Sequence, residues 1–373
     1  MLLCVGKWSA SSIFVVAISE RKKTEKKRSM RGEGMDYVAL PKIELHAHLT
    51  GSVSRRTLHD IWRRKKDAGE TDIQDPMEVM PEGKHNYSVQ AFFPLFSSYI
   101  YNLLTDAASI TEATTAVLHD FCADGVVYAE LRTTPRATPS LTPEAYVRTI
   151  LAAIAAFNLG PHPRRMRTRL ILSVDRRHDA ATALSITRLA AALRPLGVVG
   201  VDLCGDPQAK PDGAVRVFSP AFEGARDAGL GVTVHFAEAR AAASREELDV
   251  LLGWRPRRLG HVIWEDDEAK REIVRRGLCL ELCLSCNVLA EMVEGGFAVH
   301  HFGYWRGVDG PSISLATDDV GVFGSPLSKE YEIAARHFNL DREAICSLAR
   351  EAIDSTFGSD EDKEWLRSVM WTS

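Results

Sequence analysis

From Leu40 onward, short apolar runs alternate with longer amphipathic stretches. Residues 43–49, 126–133, 169–175, 198–203, 231–236, 258–262, 278–284 and 312–317 have the length and aliphatic content of buried strands. Between most of them apolar residues recur at helical spacing, as in residues 143–157 and 180–193. Eight strand-then-helix units predict an α/β fold, a (β/α)8 TIM-type barrel, in which active sites gather at the C-terminal ends of the strands. Residues 54–118, between the first two strands, read as a helical insertion. Its aromatic residues Phe92, Phe93, Phe96, Tyr99 and Tyr101 are candidates to lid the barrel mouth, with plain helix packing the alternative for part of them.

The polar residues that interrupt this pattern sit at strand ends. IELHAHL carries His46 and His48, GVTVHFAE carries His235 and Glu238, and SISLATDD carries Asp318 and Asp319. Residues two apart on a strand share a face, so His46 and His48 can offer two imidazoles to one ion. Such a pair alone is more often a hydrogen-bonded core feature. His235 and Asp318 at the ends of other runs shift the balance, because three imidazoles and one carboxylate suit Zn²⁺. A metal-dependent hydrolase is the implied class. Further polar ends belong to the same predicted rim: Glu130 to Arg136, Asp175-Arg176-Arg177, Asp202 with Gly205-Asp206, and Gly260-His261.

Composition narrows the class without changing it. A chain of 373 residues fits one large barrel, and a net charge of −4 from 46 basic and 50 acidic side chains leaves no broad basic surface for a nucleic acid polymer. No apolar run approaches the roughly 20 residues of a membrane span. Seven cysteines, an odd number spread through the chain, argue for a reducing compartment, the cytoplasm. Residues 1–34 stand apart, with a short apolar patch (12–19) followed by a basic run (21–32). They are expected to form a disordered tail ahead of one domain, 35–373. The basic run lies on the wrong side for a secretory signal, and Met30 or Met35 could begin the working protein.

PKIELHAHLTGS from Pro41, HFAE at His235, GH at His261, SCN ending at Asn287 and TDD at Thr317 together resemble the ordered signature of the adenosine/AMP deaminase superfamily. ELRTTPR, VDRR, DLCGDP, LELCLSCN, HHFGYW and TDDVGVF are most similar to its adenosine deaminase-like branch, the N6-methyl-AMP deaminases. The resemblance covers residues 40–363 and implies one Zn²⁺ per subunit, held by His46, His48, His235 and Asp318. The ion would lower the pKa of its bound water towards 7. Asp319 and His261 would orient the resulting hydroxide at C6 of a purine, and Glu238 would protonate N1. The backbone N–H of Gly205 would bind N3, and Thr50, Thr133, Thr134, Pro135, Arg136 and Asp175 would line the nucleotide site beside His48 and Asp319, with Arg136 the main phosphate partner. Thr50 stands where many relatives carry Asn, and Ile100 or Tyr101 where a His is expected.

The implied reaction converts N6-methyl-AMP to IMP and methylamine, in a cytoplasmic monomer whose partner is a small-molecule purine nucleotide. An adenosine deaminase and a catalytically silent barrel used for binding are the competing readings; the presence of Glu238 speaks against the latter. A cytidine-type zinc site would need a proline before a C-x-x-C pair, and none precedes Cys283. Core packing accounts better for Cys283 and Cys286. A dinuclear amidohydrolase would need a lysine after the fourth strand, where Asp202 and Cys204 stand instead.

Overall fold

The computed structural model describes residues 34–160, 166–209 and 214–373; apart from Gly34, the expected tail lies outside them. Eight parallel strands pair in sequence order: β1 (Lys42–His48), β2 (Val126–Thr133), β3 (Arg167–Asp175), β4 (Val198–Cys204), β5 (Gly231–Phe236), β6 (Arg258–His261), β7 (Cys279–Leu282) and β8 (Ser312–Leu315). Between β8 and β1 the ring is closed just past β8 by Asp318. Its N–H donates to the carbonyl of His46 (2.8 Å) and its carbonyl accepts from the N–H of His48 (2.9 Å). The (β/α)8 barrel expected from the strand pattern is therefore observed, and a predicted metal ligand completes its seam.

The period of two divides each strand into two different faces. On β1, Ile43, Leu45 and Ala47 alternate with Lys42, Glu44 and His46, and all six are fully buried. Register shifts along β1 break the alternation. His46 reaches Glu281 on β7, whereas Lys42 Nζ donates to the carbonyls of Tyr37 and Leu40. Glu44 lies beside Glu330 and Tyr331 of the outer helix Leu327–Phe338. The Glu44 carboxylate accepts from the His46 N–H (2.8 Å) and from the N–H and hydroxyl of Thr317 (3.0 and 2.9 Å). Deep burial still pushes its pKa up to about 7 against those bonds. Glu281 on β7 accepts from Arg132 on β2 (2.8 Å) and from Arg258 on β6 (2.6 Å), and Arg258 also donates to Glu130 on β2 (2.5 Å). Between β2, β6 and β7 the lumen is thus filled by paired charges.

The helices begin where the sequence offers caps. Thr142, Asp179, Ser244, Asp266 and Asp341 each accept the N–H three residues on, at the starts of Pro143–Leu159, Ala180–Ala192, Arg245–Gly253, Asp267–Arg276 and Arg342–Glu351. Phe357 plugs the N-terminal end of the barrel. The Arg258 guanidinium lies 3.7 Å from its ring centroid, and a Cβ on Gly200 or Gly231 would collide with that ring.

The insertion is helical as expected, with Arg55–Asp67 and Val89–Leu95 leading to the long helix Ala107–Ala123. Pro94 lies inside the second of these, and the chain widens into a π-helical turn at Phe96–Ile100. Among the described residues no helix is long and apolar enough to cross a membrane.

Candidate active site

Four predicted ligands converge above the lumen. His48 Nε2 lies 3.1 Å from His235 Nε2, and Asp318 Oδ1 lies 3.4 Å from both His46 Nε2 and His48 Nε2. Hydrogen bonds behind the rings decide which nitrogens face forward. His46 Nδ1 meets Glu281 Oε2 at 2.7 Å and His235 Nδ1 meets Asp202 Oδ1 at 3.2 Å. A carboxylate only accepts, so each Nδ1 carries the proton and each Nε2 presents a lone pair. His46 Nε2 is buried with no hydrogen-bond partner among the described residues.

Lone pairs that crowd one point without donors are costly unless a cation sits among them. Ligands about 2.0–2.1 Å from a tetrahedral ion stand about 3.3 Å apart, which matches the spacings above. These four residues therefore fit a single metal ion. Burial and the neighbouring His235 and His46 push the His48 pKa well down, against the pull of Asp318, which suits it to bind as a neutral ring. Burial works to raise the Asp318 pKa, but the imidazoles of His46, His261 and His48 overcome it and hold the carboxylate far below its usual range. Asp319 moves the other way, raised by burial and then by the charge of Asp318.

Backbone strain aims these side chains. Ala237, His261 and Asp318, at or just past the ends of β5, β6 and β8, have φ of 50°, 65° and 60°. Non-glycine residues adopt this left-handed region at a cost of about 1–3 kcal/mol each, and such strain concentrates at functional sites. Here it turns the chain abruptly at the rim. Glu238 follows Ala237 and is buried, with Oε2 unpartnered among the described residues and Oε1 3.8 Å from His261 Nε2. Asp319 Oδ1 is likewise unpartnered and lies over Gly51, where a Cβ would come within 1.6 Å of it.

The cavity in front of these groups, about 650 Å³ measured out to its mouth, lies within the usual range for a small-molecule site. His48, Thr50, Thr133, Thr134, Arg136, Asp175, Gly205 and Asp319 line it together with His235, Glu238 and Asp318. Pro135 is buried behind the wall, and His46 and His261 are fully buried beneath the floor. Thr133 Oγ1 meets the Tyr146 hydroxyl at 2.9 Å, and Arg136 donates to that hydroxyl (3.0 Å) and to the Leu104 carbonyl (3.1 Å). The Arg136 guanidinium is sandwiched between Tyr101 and Tyr146, 4.3 and 4.6 Å from their ring centroids. Phe92, Phe93, Phe96 and Tyr101 form the lid side of the cavity. Tyr99 does not join them, because its hydroxyl donates to the Gln74 carbonyl.

Several site residues lie outside the predicted set. Arg177 lines the cavity and grips Asp175 with two bonds of 2.8 and 2.6 Å, so Asp175 steers a cation there rather than meeting an anion itself. Its neighbour Arg176 is buried and paired with Glu247 (2.6 Å), a division that the VDRR motif does not reveal. Glu281 and Asp202 orient His46 and His235, and their signal was a lone acid within an apolar strand. Cys283 and Cys286 lie past the end of β7 rather than within it. Both are buried, but Cys286 also donates to Asp318 Oδ2 (2.8 Å), a contact beyond core packing.

The family model for adenosine deaminase matches residues 41–372. The chain is 38% identical to a Xenopus laevis protein named N6-Methyl-AMP deaminase-L, covering 91% of this chain and 96% of that one. It is 33% identical to the Arabidopsis thaliana N6-mAMP deaminase, covering 90% and 98%. The Arabidopsis ADAL structure complexed with GMP superposes with a TM-score of 0.82 at 33% identity, over 90% of this chain and 97% of that one. The sequence match spans the whole barrel, including every strand whose end supplies the site, and the chain belongs to the adenosine deaminase family.

Proposed function

We propose that this protein is a zinc-dependent purine C6 aminohydrolase acting on a nucleotide, converting N6-methyl-AMP to IMP and methylamine. The observation that carries the reading is the cluster of four donors with inward lone pairs, faced by an unpartnered buried glutamate. His46, His48, His235 and Asp318 would hold the zinc ion. Bound there, it supplies the Lewis acidity that makes water nucleophilic near neutral pH.

The remaining chemistry falls to the chain's own groups. Asp319 and His261 orient the attacking water, and Asp319 takes up its proton as its oxygen adds to C6. Glu238 gives a proton to N1, so that the electrons displaced from the C6–N1 double bond do not leave an anion in a largely enclosed cavity. The C6–N bond then breaks as a proton reaches the departing amine, and the purine is left with its C6 carbonyl. Gly205, with φ of 95°, permits the close main-chain approach that binding at N3 requires; a Cβ there would strike Asp175.

Phosphate recognition is assigned to Arg136 and Arg177. Each keeps free N–H donors at the cavity, and the Tyr101–Tyr146 sandwich fixes the Arg136 fork in advance. Two relatives carry N6-methyl-AMP in their names, and a solved relative is complexed with GMP, which supports a nucleotide over a nucleoside. Buried free thiols at Cys122, Cys204, Cys279, Cys283, Cys286 and Cys346 support a reducing, cytoplasmic setting.

The test is a steady-state comparison of N6-methyl-AMP, AMP and adenosine on protein of measured zinc content, following amine release. Turnover of N6-methyl-AMP above the others is expected; adenosine turning over equally well sinks the nucleotide assignment. Arg136→Ala is expected to raise KM for N6-methyl-AMP about 10- to 100-fold, the worth of a charge-assisted bond to phosphate. KM for N6-methyladenosine should change far less, and equal effects would remove Arg136 from the phosphate site. Gly51→Ala is expected to push the Asp319 carboxylate aside and lower kcat/KM by about 10²-fold in protein of unchanged melting temperature. Wild-type kinetics in that variant would mean that the position of Asp319 is not critical.

A further inference from the structure

The tandem histidines, His300 buried and His301 half-buried, lie beside the site and do not line the cavity. His300 Nδ1 accepts the Phe302 N–H at 3.0 Å, and its Nε2 lies 3.1 Å from the side-chain amide of Asn287. That end of the amide is placed as Nδ2, and its Oδ1 lies 3.0 Å from His261 Nδ1. Burial, reinforced by His301 and His261, pushes the His300 pKa far down, so the ring carries one proton. Nδ1 is accepting, so that proton sits on Nε2 and points at Asn287. The amide must therefore be turned over from that placement, with its oxygen meeting this proton and its NH2 group facing His261 Nδ1. A ring nitrogen that receives an N–H cannot carry a proton of its own.

We infer that His300, acting through Asn287, fixes His261 as the Nε2–H tautomer, so that His261 is a hydrogen-bond donor into the active site and not a base. His300 is thus a positioning residue for the reaction proposed above, on which its functional meaning rests. His261 Nε2 is buried and unpartnered among the described residues, 3.8 Å from Glu238 Oε1 and 3.9 Å from Asp318 Oδ2, so its proton is directed at the oxygen that attacks C6. His301 secures the same residue by its main chain. Its Nε2 donates to the His261 carbonyl at 2.7 Å, at the point where φ is 65°, and its ring stacks on His300 at 4.1 Å. One histidine sets the proton and the other holds the strained backbone.

The test reads the proton directly. Protein labelled with ¹⁵N-histidine, zinc-loaded and metal-free, is expected to show His261 as the Nε2–H form in long-range ¹H–¹⁵N spectra; the Nδ1–H form overturns the inference. In His300→Leu the Asn287 amide is free to reverse. A mixture of His261 tautomers is expected, with kcat lower by about 10- to 100-fold, KM within about twofold and zinc content unchanged. His300→Gln, which can again offer an N–H to Asn287, should recover most of kcat. A wild-type spectrum and kcat in His300→Leu would overturn the relay. If that variant does not fold, Asn287→Asp, which can only accept, is expected to draw the His261 proton to Nδ1; retention of Nε2–H there also overturns it. Nε2–H wild-type protein without deaminase activity would refute the proposed function and leave this inference standing.

Discussion

Glu238→Gln is expected to lower kcat by about 10⁴-fold, the upper end of what a positioned acid or base contributes, while zinc content and melting temperature stay at wild-type values. The size follows from the surroundings. Glu238 is 5% exposed, and its Oε2 faces the cavity without a partner among the described residues. Little bulk water can replace it as a source of the proton for N1. Glutamine has the same shape and can hydrogen-bond N1 but cannot transfer a proton to it, so KM should change little. The carboxylate is not among the four donors of the metal cluster, so the ion should remain. A variant within tenfold of wild type would mean that N1 is protonated from elsewhere, and Glu238 would lose its role. Loss of zinc along with activity would instead make it a ligand or a ligand support.

That Glu238 and its neighbours could be picked out beforehand reflects where barrel chemistry sits. A strand end is a local feature, visible as an apolar run that stops at a polar residue, and all eight strands lie within a few residues of the expected positions. β6 and β7 end early for reasons that no pattern carries: the chain inverts at His261 and Val262, and a helix already begins at Leu284. Aspartate and histidine enter left-handed backbone more often than most non-glycine residues, but still only rarely, so the strained ends at His261 and Asp318 were not legible. The lid was only partly so. Its aromatic residues follow a helical spacing, but the π-helical turn after Pro94 changes the register, and Tyr99 is carried to Gln74 instead of the cavity. The support behind the ligands was hidden for a different reason. Glu281 lies 235 residues from His46 and 149 from Arg132, and only closure of the barrel brings them together.

That support gives the second large effect. Glu281→Gln is expected to weaken zinc binding by about 10- to 100-fold and to destabilise the fold by about 3–5 kcal/mol. One carboxylate here serves four donors: His46 Nδ1 (2.7 Å), Arg132 (2.8 Å), Arg258 (2.6 Å) and the Thr233 hydroxyl (3.0 Å). Glutamine keeps one accepting oxygen and turns an NH2 group towards the rest, leaving two buried guanidinium groups short of charge and His46 without a fixed tautomer. Glu130→Gln separates the two consequences. Glu130 also binds Arg258 (2.5 Å) in the lumen and accepts from Tyr128 (2.8 Å) and the Phe357 N–H (2.6 Å), but no hydrogen bond joins it to a ligand histidine among the described residues. It should cost comparable stability and leave zinc affinity unchanged. Denaturation of the metal-free proteins, beside competition for zinc with a chelator, measures both quantities. Equal zinc loss in the two variants would mean that the metal responds to general loosening of the barrel, whereas loss confined to Glu281→Gln would show that a single carboxylate couples the charged lumen to the ion.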